Sequence, residues 1–225
     1  MRIMKKYSIG NNSKIWSKMV GADGYLALHG GGHKNENQTP FPSFSLDLSW
    51  EKIPNAKSYA VIVEDFDAAA VIGFSFIHWI AVNIKTNHIA ENQSYLDHNK
   101  WLESKQSAYG ENLLWQGHNS SVNKTLVANN KTNKDLGGIL PEGFTSTSLE
   151  NSLMYFGCYP PNADHTYTVV VYGLDVDASE LTYHKNHRTQ KYHLNKPYYV
   201  GDFMQAIHKH VVGKHTLHFK YKKVG

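Results

Sequence analysis

The sequence predicts a mainly β domain, and three observations carry that expectation. Five segments of strand length either alternate apolar and polar residues or run apolar throughout. Only one stretch, close to the C-terminus, spaces its apolar residues at helical intervals. The length of 225 residues, with 41% hydrophobic and 19% charged residues, suits a single all-β unit with a substantial core. One folded unit over residues 1–225 is therefore expected.

The strand-like segments are Phe44 to Trp50 (FSLDLSW), Ser58 to Glu64 (SYAVIVE), Phe76 to Ile84 (FIHWIAVNI), Tyr167 to Asp175 (YTVVVYGLD) and Thr216 to Lys222 (TLHFKYK). In the last, Leu217, Phe219 and Tyr221 point one way and His218, Lys220 and Lys222 the other, the pattern of a half-buried outer strand. Before it, Tyr198 to Lys214 places Phe203, Ile207 and Val211 on one helical face. Asp202 near its start and Gly213 just past its end mark a helix that runs up to the final strand. From Asn92 to Leu140 neither period holds and Asn, Lys and Ser dominate. This segment is expected to be a polar, lid-like surface insertion that adds little to the core, with Trp101 and Trp115 docking part of it.

Composition narrows the function. Lys and Arg number 23 against 19 Asp and Glu, for a net charge of +4, and the lysines are scattered, so no nucleic-acid footprint is expected. One cysteine, Cys158, precludes an intramolecular disulfide and favours a reducing compartment. The N-terminal lysines precede no apolar segment, and no run of about 18 apolar residues occurs, so neither a secretory signal nor a transmembrane helix is expected. A cytoplasmic protein is the expectation. The sequons at Asn119, Asn123 and Asn130 are taken as chance products of an Asn/Ser/Thr-rich chain.

Asp65 and Asp67 close the second strand-like run. In extended backbone they would share a face and repel unless a cation, donors or a shared proton relieved them, and a turn pair bonded to local backbone is the plain alternative. His78 sits at the centre of an apolar run, on one face with Phe76 and Ile80; taken alone it reads as a hydrogen-bonded core residue. Pro160 and Pro161 are followed by His165 and Tyr167, which share a side at period two as another apolar strand begins.

Together these motifs resemble the phosphatidylethanolamine-binding protein family in its bacterial and archaeal branch. That family carries D-P-D-A-P, a strand of the form x-H-W-x-x-x-N, and P-P followed by H-R-Y. Here the matching residues are EDFDA (Glu64 to Ala68), His78 with Trp79 and Asn83, and Pro160–Pro161 ahead of His165–Thr166–Tyr167. The likeness runs from about Ser17 to the C-terminus apart from the polar insertion. It implies a β-sandwich of a large and a small antiparallel sheet, one or two helices near the C-terminus, and a small pocket lined by Asp65, Asp67, Phe76, His78, Pro161, His165 and Tyr167. The chain departs from the pattern at Phe66 and Ala69, where the family has prolines, at Thr166 in place of arginine, and at Cys158, one place earlier than usual.

The resemblance implies a non-catalytic protein. Histidine and tyrosine donors oriented by aspartates would hold a phosphate-like or phosphoethanolamine-like group of a small molecule or a phospholipid head, with no cofactor and no metal. The family's eukaryotic relatives suggest one alternative, a regulator that binds protein partners, for which the insertion would be the contact surface. A small ester hydrolase is the other alternative; Cys158 is its only nucleophile candidate and a weak one. HGGGH (His29 to His33) copies a lipase oxyanion string, but no G-x-S-x-G accompanies it, so a glycine-rich loop is expected.

Overall fold

A computed structural model describes residues 14–122, 148–184 and 190–224. Its framework is a five-stranded antiparallel sheet in the order β10-β7-β3-β4-β6, formed by β3 (Ser58–Asp65), β4 (Phe76–Ile84), β6 (Trp115–Gln116), β7 (His165–Leu174) and β10 (Val211–Tyr221). A three-stranded sheet of β1 (Ile15–Trp16), β2 (Leu48–Trp50) and β5 (His88–Ile89) contributes Ile15, Leu48, Trp50 and Ile89 to a core shared with one face of the large sheet. The large sheet's other face packs on α2 (Gln93–Ser104) through Trp101 and on α3 (Val200–Ile207) through Phe203, Ala206 and Ile207. A two-stranded ribbon, β8 (Thr182–His184) with β9 (Lys191–His193), lies outside both sheets.

The mainly β expectation holds, and the run-on apolar character of β3 and β4 has a simple cause. Both strands are covered on two faces, so Val61, Val63, Trp79 and Ala81 enter one core while Ala60, Ile62, Ile80 and Val82 enter the other. Exposed faces need polar residues; these strands have none to spare. At the sheet's edge, β10 alternates as expected, with Phe219 and Tyr221 buried and His218 and Lys220 exposed.

The late helix is shorter than its sequence period suggests. It ends at Ile207, and Val211 and Gly213 belong to β10, which pairs with β7 across a register shift between those two residues. Gly213 is therefore no helix terminator. A Cβ there would approach Ile53 Cγ2 to 2.7 Å, so close packing explains the glycine.

The insertion expected at 92–140 is overturned for residues 93–122, the part of it among the described residues. Residues 93–104 form α2, whose Ser94, Asp97, His98 and Trp101 are buried, and Trp115–Gln116 is a strand of the main sheet. The polar composition misled because these polar groups are bonded internally: Asp97 accepts from Gln93 and from the Leu114 amide, and Gln116 bonds Trp79 and Ser94. Asn119, the first sequon, is likewise buried, donating to the Met154 carbonyl and accepting from Ser121. Residues 123–140, with the sequons at Asn123 and Asn130, lie outside the described residues.

Candidate functional site

Everything at the site depends on how β3, β4 and β7 end. β3 pairs Val63 with Trp79 and then Glu64 with Ile77, so His78 is an extra residue in β4 and forms a β-bulge. The bulge reverses the side-chain phase. Ile77 and Trp79, two apart, enter opposite cores, while Phe76 and His78 turn into a separate cluster with Phe41, Ala68, Met154 and Phe156. The expected shared face of Phe76, His78 and Ile80 is thereby corrected: Ile80 lies on the α2/α3 side.

A cavity of about 40 Å³ opens there, lined by Asp65, Phe76, His78, Pro161 and His165 from the expected set. The short helix α1 (Ala69–Ile72) adds Val71 and Ile72, and the 156–159 segment adds Phe156 and Tyr159. That volume admits about three waters or one small polar head group. Among the described residues the lining contains no lysine or arginine; Asp65, His78 and His165 are its ionisable floor.

Two expected members stand elsewhere. β3 ends at Asp65, so Asp67 lies beyond the ladder, is exposed, and accepts the Thr166 amide at 2.8 Å, which fixes the start of β7. The two aspartates therefore do not face one another across a pocket. Tyr167 is fully buried one layer below, its ring 5.1 Å from His78 and stacked on Phe219, and its hydroxyl sits near Asp65 and Cys158 without a well-formed hydrogen bond. It supports the floor instead of contacting the cavity. Burial pushes its pKa well above the tyrosine range.

Asp65 organises the floor. Its Oδ1 accepts the Ala68 amide at 3.0 Å, and its Oδ2 accepts from His165 Nδ1 at 2.8 Å across a sequence separation of 100. His165 Nε2 in turn lies 2.6 Å from Asn162 Oδ1. Both His165 ring nitrogens thus face an oxygen. His78 differs. Its Nδ1–H donates to the Phe156 carbonyl at 2.6 Å, leaving Nε2 buried without a hydrogen-bond partner, 4.0 Å from Asp65 Oδ2. Burial among Phe76, Phe156 and Tyr167 lowers the His78 pKa, outweighing the pull of the Asp65 carboxylate. A neutral His78 offers the cavity a lone pair. The expected pair of histidine donors is therefore already committed elsewhere in the free protein.

Cys158 lies outside the cavity lining. It is fully buried, 3.5 Å from the Tyr155 hydroxyl, and burial pushes its thiol far above the cysteine range, so it carries no reactive thiolate. The HGGGH loop packs on the same segment: a Cβ on Gly31 would meet the Cys158 carbonyl at 2.3 Å. These glycines serve close approach of two segments of the chain. Among the described residues no cluster of three His, Cys, Asp or Glu side chains could hold a metal ion, and no helix is long and apolar enough to cross a membrane.

Of the lining residues, Ala68, Val71, Ile72, Phe156 and Tyr159, together with Asn162 bonded to His165, escaped sequence reasoning. The apolar run Ala68 to Ile72 directly after the aspartates was the available signal for α1.

The sequence model described as phosphatidylethanolamine-binding protein matches residues 16–222. An uncharacterised Bacillus subtilis protein, YxkA, is 27% identical over 179 residues, covering 79% of this chain and 80% of its own. Two solved structures share the fold. One is CT736 of Chlamydia trachomatis, described as a phosphatidylethanolamine-binding protein homologue, with a TM-score of 0.58 at 18% identity over 96% of this chain and 100% of its own. The other is YbcL of Escherichia coli, with a TM-score of 0.56 at 15% identity over 95% of this chain and 99% of its own.

Proposed function

The chain belongs to the phosphatidylethanolamine-binding protein family, and on that premise we propose that it is a non-catalytic binding protein whose cavity takes one small oxyanionic head group together with a proton. The observation that carries this reading is His78 Nε2, a buried and partnerless acceptor in a cavity of about 40 Å³, beside the carboxylate of Asp65. With no lysine or arginine in the lining, a dianion would meet Asp65 uncompensated. A monoanion, such as a phosphodiester head, can be accommodated if His78 takes up a proton and becomes a donor between it and Asp65. One or two hydrogen bonds to a charged group, each worth roughly 1.5–3 kcal/mol, give an affinity on the order of millimolar. Among the described residues the lining holds no thiol or aliphatic hydroxyl, which favours binding over hydrolysis. A reducing, cytoplasmic setting fits the lone buried Cys158.

Methyl sulfate, a monoanion that does not titrate near neutrality, tests the proton. Because the anion favours protonated His78 and burial disfavours it, binding takes up a proton, and affinity should fall by up to tenfold per unit as pH rises from 5.5 to 8. Calorimetry in buffers of different ionisation enthalpy should register that uptake, and His78→Gln should abolish it. Affinity indifferent to both pH and His78→Gln would overturn the reading. Glycerophosphoethanolamine competing better or worse than phosphatidylethanolamine vesicles would then separate a free metabolite from a lipid head.

A further inference from the structure

Three charged or hydrogen-bonding side chains form the cavity floor, and one of them is capped by a group from the protein itself. His165 lines the cavity, yet its Nε2–H is spent on the carboxamide oxygen of Asn162 at 2.6 Å. Asn162 is exposed and directly follows Pro160 and Pro161. Its loop is held from both sides: the Val224 amide donates to the Pro160 carbonyl at 2.8 Å, and Asp164 accepts from the Lys223 amide at 2.9 Å and from the Tyr25 hydroxyl at 2.8 Å. Beyond it, Asp67 pins the Thr166 amide. The backbone around Asn162 is thus fixed, while the side chain needs only a rotation about χ1 or χ2 to leave.

We propose that Asn162 is a built-in ligand surrogate, a specificity-determining residue whose carboxamide oxygen occupies the hydrogen-bonding position on His165 that a ligand oxygen takes on binding. This rests on the oxyanion reading of the cavity. The chemistry makes the exchange one-directional. The carboxamide is a neutral acceptor, and a hydrogen bond from the same donor to an anionic oxygen is roughly twice as strong, so an oxyanion displaces it whereas a neutral alcohol or amide does not. Asn162 keeps the donor satisfied and oriented by Asp65 when the cavity is empty, and discriminates against uncharged ligands by making them compete with an equal.

The test compares the full chain carrying Asn162→Ala or Asn162→Asp with the wild type, using methyl sulfate at pH 5.5 and ligand-free NMR of the His165 ring nitrogens. Removing the surrogate in Asn162→Ala should tighten methyl sulfate about five- to tenfold, in line with one ordinary hydrogen bond no longer displaced. Asn162→Asp, which places a fixed anion on the same nitrogen, should weaken binding at least tenfold. In the ligand-free Asn162→Ala protein the His165 Nε2 resonance should shift and its proton exchange faster, whereas the saturated complexes of wild type and Asn162→Ala should give matching His165 signals. Binding that requires His78 but is unchanged in both Asn162 variants would overturn this inference and leave the oxyanion reading standing. No methyl sulfate binding by any variant, even with a shifted His165 signal, would overturn both.

Discussion

The cavity end of the large sheet and the α2 side each bury a histidine almost completely, with His78 3% and His98 1% exposed, and the two are not equivalent. His78 has one nitrogen bonded to a carbonyl, the other 4.0 Å from a carboxylate, and a cavity beside it. His98 packs 5.9 Å from Trp101, neither of its nitrogens makes a well-formed hydrogen bond, and burial lowers its pKa to about 4, a poorly aligned contact with the Leu153 backbone offsetting this only in part. Burial depresses both. Only at the cavity does a nearby carboxylate make protonation recoverable by a ligand. A buried histidine becomes a candidate site through its partner and its open space, and depth alone makes it a stability liability in acid.

The largest effect should come from removing the partner that distinguishes the two regions. Asp65→Ala leaves the buried His165 Nδ1 opposite nothing and strips the Ala68 amide of its acceptor, which should cost about 3–5 kcal/mol in chemical denaturation at pH 7. The double variant Asp65→Ala/His165→Leu should be less destabilised than the sum of the two single changes. Simple additivity would show that the pair is not coupled and that the cavity floor resembles the α2 side.

An intermediate effect is expected on the α2 side in acid. The folded-state pKa of His98, about 4, lies below the unfolded value near 6.5, so the unfolded chain binds a proton that the folded one refuses. Its contribution to stability is full above pH 6.5 and lost as pH falls towards 4, to a total on the order of 3 kcal/mol. His118, bonded to Ser152 and stacked on Tyr199, is also lowered to about 4 by burial and adds to the same slope. Stability measured against pH should therefore rise between pH 4 and 6.5, and His98→Leu should remove about half of that rise while leaving methyl sulfate binding intact. A slope untouched by His98→Leu would place the acid sensitivity at the cavity.

The smallest effect should be at Asp67. It is exposed and makes one hydrogen bond to the Thr166 amide, so Asp67→Ala should cost about 1 kcal/mol or less and leave methyl sulfate affinity unchanged. A large loss of affinity would return Asp67 to the binding set and narrow the contrast between the cavity and its surroundings.

Much of this arrangement was legible in the chain. The mainly β class, the alternation of β10, and the positions of Asp65, Phe76, His78, Pro161 and His165 around one cavity follow from strand periods and from motif spacing read through a family likeness. Such signals are local: a period of two or a run of apolar residues is set by what covers a strand, and each residue carries its own share of it. The tertiary structure alone decided three things. It put an extra residue into β4 at His78, which a period of two cannot reveal because the bulge exists only relative to β3. It buried Ser94, Asp97, His98, Trp101, Gln116 and Asn119 despite the polarity of their segment, because groups such as Asp97 and Gln116 find their partners only once the chain has folded back. It also fixed which histidine nitrogen is free, since Phe156 lies 78 residues from His78 and Asp65 lies 100 from His165. Charge and hydrogen-bond state depend on groups brought together across such separations, and that is why the sequence could name the residues of the cavity but not their protonation.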